Sequence, residues 1–167
     1  MKYKVIKKQN NSKSCVVCGT QNPFSLKTSF YELENKELVA ICTLKNDHQS
    51  YPNRAHGGII SSLLDETIGR AISINQPTVW GVTTELTIHY KKPVPLNEEL
   101  RVVGRIINDS KRIFEGSGEI ILQNGDVAAY ASGKYMKLPL DKISDPHFIE
   151  HEWFLVEDEL DPEYIEI

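Results

Sequence analysis

The sequence predicts an α+β domain in which one curved antiparallel sheet wraps one long central helix. Three observations predict it. One stretch, residues 57–75, has helical apolar spacing, with Ile60, Leu63, Leu64, Thr67, Ile68, Ala71 and Ile72 on one face. Two stretches before it and four after it are rich in Val, Ile, Thr, Tyr or Phe, as strands are. A single helix is too few for the crossovers that a parallel sheet needs.

Each element has a local reason. Leu26–Leu33 and Glu37–Leu44 alternate apolar and polar residues and are joined through Glu34-Asn35-Lys36. Residues 46–54 are polar and contain Pro52, which predicts a loop. Pro77 prevents further helix just past the C-terminus. Val79–Tyr90, Leu100–Asn108, Ile113–Leu122 and Val127–Leu138 then read as strands, the first ended by Pro93 and Pro95. Asn108-Asp109-Ser110-Lys111 turns the chain back, and Asn124-Gly125 predicts a type I′ hairpin. The segments expected are an N-terminal stretch at 1–25, the α+β domain at 26–140 and an acidic, aromatic-containing extension at 141–167. Phe148, Trp153, Phe154, Leu155 and Tyr164 predict that part of the extension packs, either over the sheet or onto a neighbouring subunit.

With 167 residues, 40% hydrophobic and 25% charged, the chain fits one ordinary soluble domain. No run approaches the roughly 18 apolar residues of a membrane span. The basic N-terminus lacks the apolar core of a signal peptide. Three cysteines argue against a disulfide framework and for a reducing cytoplasm. A net charge of −4 argues against broad nucleic-acid binding. Lys91, Lys92, Arg101, Arg105, Lys111 and Arg112 nevertheless cluster mid-chain. They read either as a local phosphate-binding patch or as scattered solubilising charge.

The chemistry gathers in His56-Gly57-Gly58-Ile59-Ile60-Ser61-Ser62-Leu63-Leu64-Asp65-Glu66. Gly-Gly is a poor helix start unless something must approach the backbone closely. The first N–H groups of a helix lack internal partners and carry the positive end of its dipole, so they suit a developing negative charge. From Gly58, steps of three and four lead through Ser61 and Ser62 to Asp65 and Gly69, a narrow stripe of small residues holding one carboxylate. Partial burial there would raise the acid's pKa and make it a better base. The alternative is a solvated charge on an exposed face. Asp65 lies about 12 Å along the axis from Gly57 at 1.5 Å per residue. A base and an oxyanion donor must both come within about 3 Å of the reacting atoms. If both act at one centre, one of them must come from a second copy of the chain.

His56-Gly57-Gly58, then Asp65, then Val82-Thr83-Thr84-Glu85-Leu86 and the strand-ending Pro93 resemble the hot-dog-fold acyl-CoA thioesterases of the PaaI-like type. The resemblance covers about Cys15 to Leu138. Cys15-Val16-Val17-Cys18-Gly19 with Asn22-Pro23 resembles the N-terminal signature of one subgroup. The resemblance implies an acyl-CoA thioesterase acting as a homodimer or a dimer of dimers, without a metal or redox cofactor. The glycine matching Gly57 polarises the thioester carbonyl through its N–H. The acid matching Asp65, from the partner subunit, is base or nucleophile, and a hydroxyl matching Thr83 holds water near it. Gly58, Ser62 and Thr84 are supporting or substrate-binding positions. His56 orients the helix start rather than serving as base. Glu66 is a second candidate acid, about 100° round the helix, so both acids are not expected to face one substrate. Relatives use Asn or Gln in the preceding loop, where Gln49, Ser50 and Asn53 stand; that role stays unassigned. Coenzyme phosphates would meet Lys91, Lys92, Lys111 or Arg112. The rival readings are a non-catalytic acyl-CoA-binding module, serving as sensor or assembly unit, and a hydratase or dehydratase acting on acyl thioesters.

Other motifs carry less. Cys15-x-x-Cys18 has zinc-knuckle or redox spacing, but no second pair completes four metal ligands, and Cys42 and His48 would do so only by accident of folding. A tight local turn or a cap beside the substrate is the simpler reading. Gly116-Ser117-Gly118 lies mid-strand and marks a bulge or a close backbone approach. Ser61 and Ser62 lack the context of a nucleophile elbow. Trp80 and Tyr90 read as core or interface residues.

Overall fold

The computed structural model describes residues 1–167. Its strands are β1 (Lys2–Lys8), β2 (Asn11–Ser12), β3 (Ser29–Leu33), β4 (Leu38–Thr43), β5 (Trp80–Tyr90), β6 (Glu99–Asp109), β7 (Ile113–Ile121), β8 (Val127–Leu138), β9 (Trp153–Phe154) and β10 (Tyr164–Glu166). The long helix α1 (Gly57–Arg70) lies between β4 and β5, and the short α2 (Phe148–Glu152) precedes β9. Eight strands form one antiparallel sheet in the order β10-β1-β3-β4-β6-β7-β8-β5. The sheet curls around α1, which packs against β4, β5, β6, β7 and β8. This is the hot-dog arrangement. No helix is long and apolar enough to cross a membrane.

Burial of one helix face holds this arrangement. Ile60, Leu63, Leu64, Thr67, Ile68, Ala71 and Ile72 are all buried, and they meet Leu100, Val102, Phe114, Ile120 and Ala131 of the sheet in one core. Fully burying an Ile, Leu, Val or Phe side chain contributes about 1.5–3 kcal/mol. Thr67 can join them because its hydroxyl donates to the Leu63 carbonyl at 2.7 Å. Gly116 and Gly118 let the helix come close. A β-carbon at either would lie 2.5 or 2.8 Å from Ile68. They mark a close approach, therefore, and the bulge lies one strand away, between Ile106 and Asn108 of β6.

The helix is shorter than its apolar spacing suggests. It ends at Arg70, and residues 71–74 tighten into a 3₁₀ turn. Such a turn pairs carbonyls that an α-helical end leaves open. Here the Asn75 N–H donates to the Ile72 carbonyl and the Ser73 hydroxyl to the Arg70 carbonyl. The turn between β7 and β8 also differs from type I′. Gly125 has φ +83°, but Asn124 is not in the left-handed region. The Gly125 N–H donates to Leu122 and the Leu122 N–H to Asp126, which gives a three-residue loop with glycine in the bulge position. Asn124 instead accepts the Asp126 N–H with its side chain, at 3.0 Å.

The chain ends add strands that apolar patterning does not announce. Lysines fill much of β1, yet Tyr3 and Val5 alternate inward onto a second small cluster of Tyr31, Leu33, Val39, Val103 and Ile165. β10 pairs with β1, and β9 pairs with β2. The acidic extension thus packs back on its own chain. It carries Phe148 and Trp153 onto Trp80, with ring centroids 5.7 and 5.3 Å away. The other edge of the sheet is β5, eleven residues long and mostly exposed.

Candidate active site

The helix start is built around an unused donor. His56 caps α1, its Nδ1 accepting the Gly58 N–H at 2.9 Å, which satisfies one of the open donors. The Gly57 N–H has no acceptor. A β-carbon on residue 57 would meet nothing nearer than the Tyr90 hydroxyl at 3.7 Å, so the chain's own packing does not demand glycine there. Tyr90 is exposed rather than core. Its hydroxyl lies 2.8 Å from the Ser61 hydroxyl and 3.1 Å from the Gly57 carbonyl, which fixes the first turn. Gly57, Ile60 and Tyr90 border an open cavity of about 390 Å³ whose rim carries Arg54, Lys91 and Lys92. Lys111 and Arg112 lie outside it, on the β6–β7 turn.

Asp65 opens into a different cavity, of about 460 Å³. Thr83 of β5 donates to its Oδ1 at 2.8 Å, and the Tyr135 hydroxyl of β8 lies 3.2 Å from the same oxygen and 3.1 Å from the Asp65 carbonyl. Burial raises the Asp65 pKa above the ordinary carboxylate value, and the nearby Glu66 adds to the rise. The bonds from Thr83 and Tyr135 act against it. Asp65 is therefore neither a freely solvated charge nor a fully sequestered one. Tyr135 is buried, stacked on Phe114, and its own pKa is raised first by burial and then by the Asp65 charge. Sequence patterning missed Tyr135. It is one more aromatic in an alternating strand, and only the pairing of β8 with β5 aims it at Asp65.

The remaining candidates separate. Thr84 sits at the irregularity between Thr83 and Glu85, and its hydroxyl turns to the Lys134 carbonyl. The hydroxyls of Ser61 and Ser62 bond back to the carbonyls of Gly57 and Gly58. Glu66 departs from expectation, because it borders the same cavity as Asp65. The cavity wraps the side of α1 far enough to take in both positions, together with Gly69 and Arg70. Glu66 is committed elsewhere, however, in a 2.8 Å ion pair with Arg70 one turn along. Cys15 also borders this cavity, and its sulfur, that of Cys18 and a Glu66 carboxylate oxygen gather within 4.8 Å of one another. Cys42 and His48 take no part. Cys42 is in the core, and the His48 Nδ1 accepts the Lys45 N–H.

Fold and site together define a hot-dog domain with a half-buried acid on its helix and an open helix start. Residues 53–129 match the model of the thioesterase superfamily. An uncharacterized protein of Schizosaccharomyces pombe is 30% identical over 112 residues, 65% of this chain and 64% of that one. A crystal structure of a thioesterase superfamily protein is similar with TM-score 0.68 and 26% identity, covering 73% of this chain and 59% of the other. The match therefore spans somewhat less than two thirds of both these relatives. The Escherichia coli PaaI protein of the phenylacetic acid degradation operon shares the fold at TM-score 0.62 and 19% identity, over 68% of this chain and 80% of its own. A hypothetical thioesterase from Streptococcus pneumoniae, crystallised with coenzyme A, shares it at TM-score 0.57 and 24% identity, over 62% and 82%.

Proposed function

We propose that this chain hydrolyses acyl-CoA thioesters in a homodimer, each site joining Asp65 of one copy to the Gly57 end of the helix in the other. The observation that carries the reading is Asp65 itself, a half-buried acid of raised pKa with one carboxylate oxygen oriented by Thr83 and Tyr135. A water bound to that carboxylate attacks the thioester carbonyl carbon and passes its proton to Asp65. The carbonyl oxygen takes up the negative charge and accepts the free Gly57 N–H at the positive end of α1. The carbon–sulfur bond then breaks. The coenzyme A thiolate leaves with the proton from Asp65, and the free acid remains. No step requires a metal or redox cofactor.

Three further features support the reading. Gly57 and Asp65 open into separate cavities of one chain, as their spacing along the helix requires. The long exposed edge of β5 offers a second copy a strand to pair with, beside Thr83. Arg54 and Lys91 at the rim of the Gly57 cavity suit coenzyme phosphates, and the Streptococcus pneumoniae neighbour shows that a hot-dog fold can hold coenzyme A. A dimer of dimers and a cytoplasmic setting are compatible with this reading.

The test is thiol release over a panel of acyl-CoAs. Asp65→Asn is expected to lose about 10²–10⁴-fold in turnover, while Glu66→Gln stays within severalfold of wild type. Sedimentation should show that the dimer persists in both. Full activity of Asp65→Asn would overturn the assignment. Acyl-CoA binding without turnover on any thioester would favour the non-catalytic module, and a strictly monomeric protein that still turns over would refute the shared site.

A further inference from the structure

Cys15 brings a second kind of chemistry to the wall of the Asp65 cavity. Residues 15–18 form one tight turn, closed by the Gly19 N–H donating to the Cys15 carbonyl at 2.8 Å. A β-carbon on residue 19 would stand 2.2 Å from that oxygen, so the turn needs glycine there. The turn brings the two sulfurs together, and both are free thiols.

Their surroundings are unlike. Cys15 is half-buried and faces the cavity, whereas Cys18 is 1% exposed. The Cys18 sulfur accepts the Ser12 N–H at 3.3 Å and lies 3.1 Å from an Arg70 nitrogen. The Cys15 sulfur accepts the Val17 N–H at 3.2 Å. The bond from the Cys18 thiol lowers Cys15 to about 7, although burial and Glu66 oppose it. The same bond and burial push Cys18 above the usual thiol range, although the neighbouring Arg70 charge opposes them. The third thiol, Cys42, lies in the core, and burial pushes it up to about 12. One sulfur is thus reachable from the cavity and inclined toward the thiolate, its neighbour is buried and bonded by Ser12 and Arg70, and the third lies in the core.

Arg70 decides between a metal and a redox pair. Its guanidinium bonds Glu66 at 2.8 Å and the Asn10 carbonyl at 2.8 Å, and it lies 4.3 and 4.5 Å from the ring centres of Phe30 and Trp153. A fixed cation already faces Cys18 and Glu66, and a metal ion between them would have to displace it. Spacing alone does not favour redox chemistry for this pair, but the asymmetry around it does.

We propose that Cys15 and Cys18 form a redox dithiol that reduces low-molecular-weight disulfides, with Cys15 as the attacking sulfur and Cys18 as the resolving one. The Cys15 thiolate attacks one sulfur of the small disulfide and expels the other as a thiolate, leaving a mixed disulfide on Cys15. Cys18 gives up its proton, attacks the Cys15 sulfur and expels the second small thiolate. Two electrons pass from the dithiol to the small disulfide. The products are two small thiols and a Cys15–Cys18 disulfide. This chemistry does not depend on thioester hydrolysis, although the attacking sulfur faces the same cavity.

The probe is glutathione disulfide, added to the reduced full chain at neutral pH. Both cysteines lie in the tryptic peptide 14–27, so the expected product is that peptide short of two hydrogens, with Cys42 still a free thiol. Cys18→Ser should accumulate a glutathione adduct on Cys15. Cys15→Ser should react more than about tenfold slower than wild type. A stable adduct on the wild-type protein, equal reactivity of Cys15 and Cys42, or release of a bound metal ion as the thiols are consumed would each overturn the proposal. Should either variant fail to fold, the wild-type peptide map decides by itself.

Discussion

Replacing Thr83 by Val removes one hydroxyl from an exposed strand position and nearly keeps the shape. The hydroxyl donates to the Asp65 carboxylate at 2.8 Å and holds its pKa down against burial. Hydrogen bonds to charged groups contribute about 1.5–3 kcal/mol. Thr83 is exposed and Asp65 half-buried, so water replaces part of the lost bond and the lower end, about 1.5 kcal/mol, applies. At 1.36 kcal/mol per unit, the Asp65 pKa should rise by about one unit. The sign follows from the bond favouring the charged form, so its loss favours the protonated acid. The direct assay is a carbon NMR titration of the Asp65 carboxyl in wild type and Thr83→Val. In the thioesterase assay the acid limb of kcat/KM should move to higher pH by the same amount, costing about tenfold on that limb and much less well above it. A titration that stays put or moves to lower pH would refute the assigned role of Thr83. Because the NMR readout needs no turnover, it tests the geometry even if the substrate class is wrong.

Two further substitutions test the scaffold. Gly118→Ala places a β-carbon 2.8 Å from both the Ile68 side chain and the Val103 carbonyl, and it should destabilise the fold by about 1–3 kcal/mol in urea titrations; an unchanged midpoint would contradict the close packing of α1 on β7. His56→Ala removes the cap on the Gly58 N–H and should cost about 1 kcal/mol of stability, with His56→Asn restoring most of it. Loss of activity in His56→Asn at full stability would instead make His56 a chemical participant.

What could be read from the sequence is what local periodicity records. The buried stripe of α1 and the strands β3 to β8 follow from apolar spacing, with boundaries off by a few residues. The pairing of the chain ends does not, because a strand dressed in lysines such as β1 is stabilised by the neighbours it meets, β3 on one side and β10 from the far end of the chain on the other. The site divides in the same manner. The Gly57 donor and Asp65 share one helix, so spacing reveals both. Tyr135 reaches Asp65 from seventy residues further along and depends on strand register. The Cys15–Cys18 pair was visible, but Glu66 and Arg70, which set its character, come from α1 and could be placed only by the fold.

The two edges of the sheet are unequal, and this bears on how the protein could assemble. One edge ends in β10, three residues long, and the other in β5, eleven residues long. Two copies paired through β5 would consume both long edges and leave only the short ones at the outer ends. Strand pairing would then stop at two copies instead of running on into a fibre. In such a dimer the short β10 edge would limit further pairing, and loss of β10 would leave the seven-residue β1 as a second edge open to further copies.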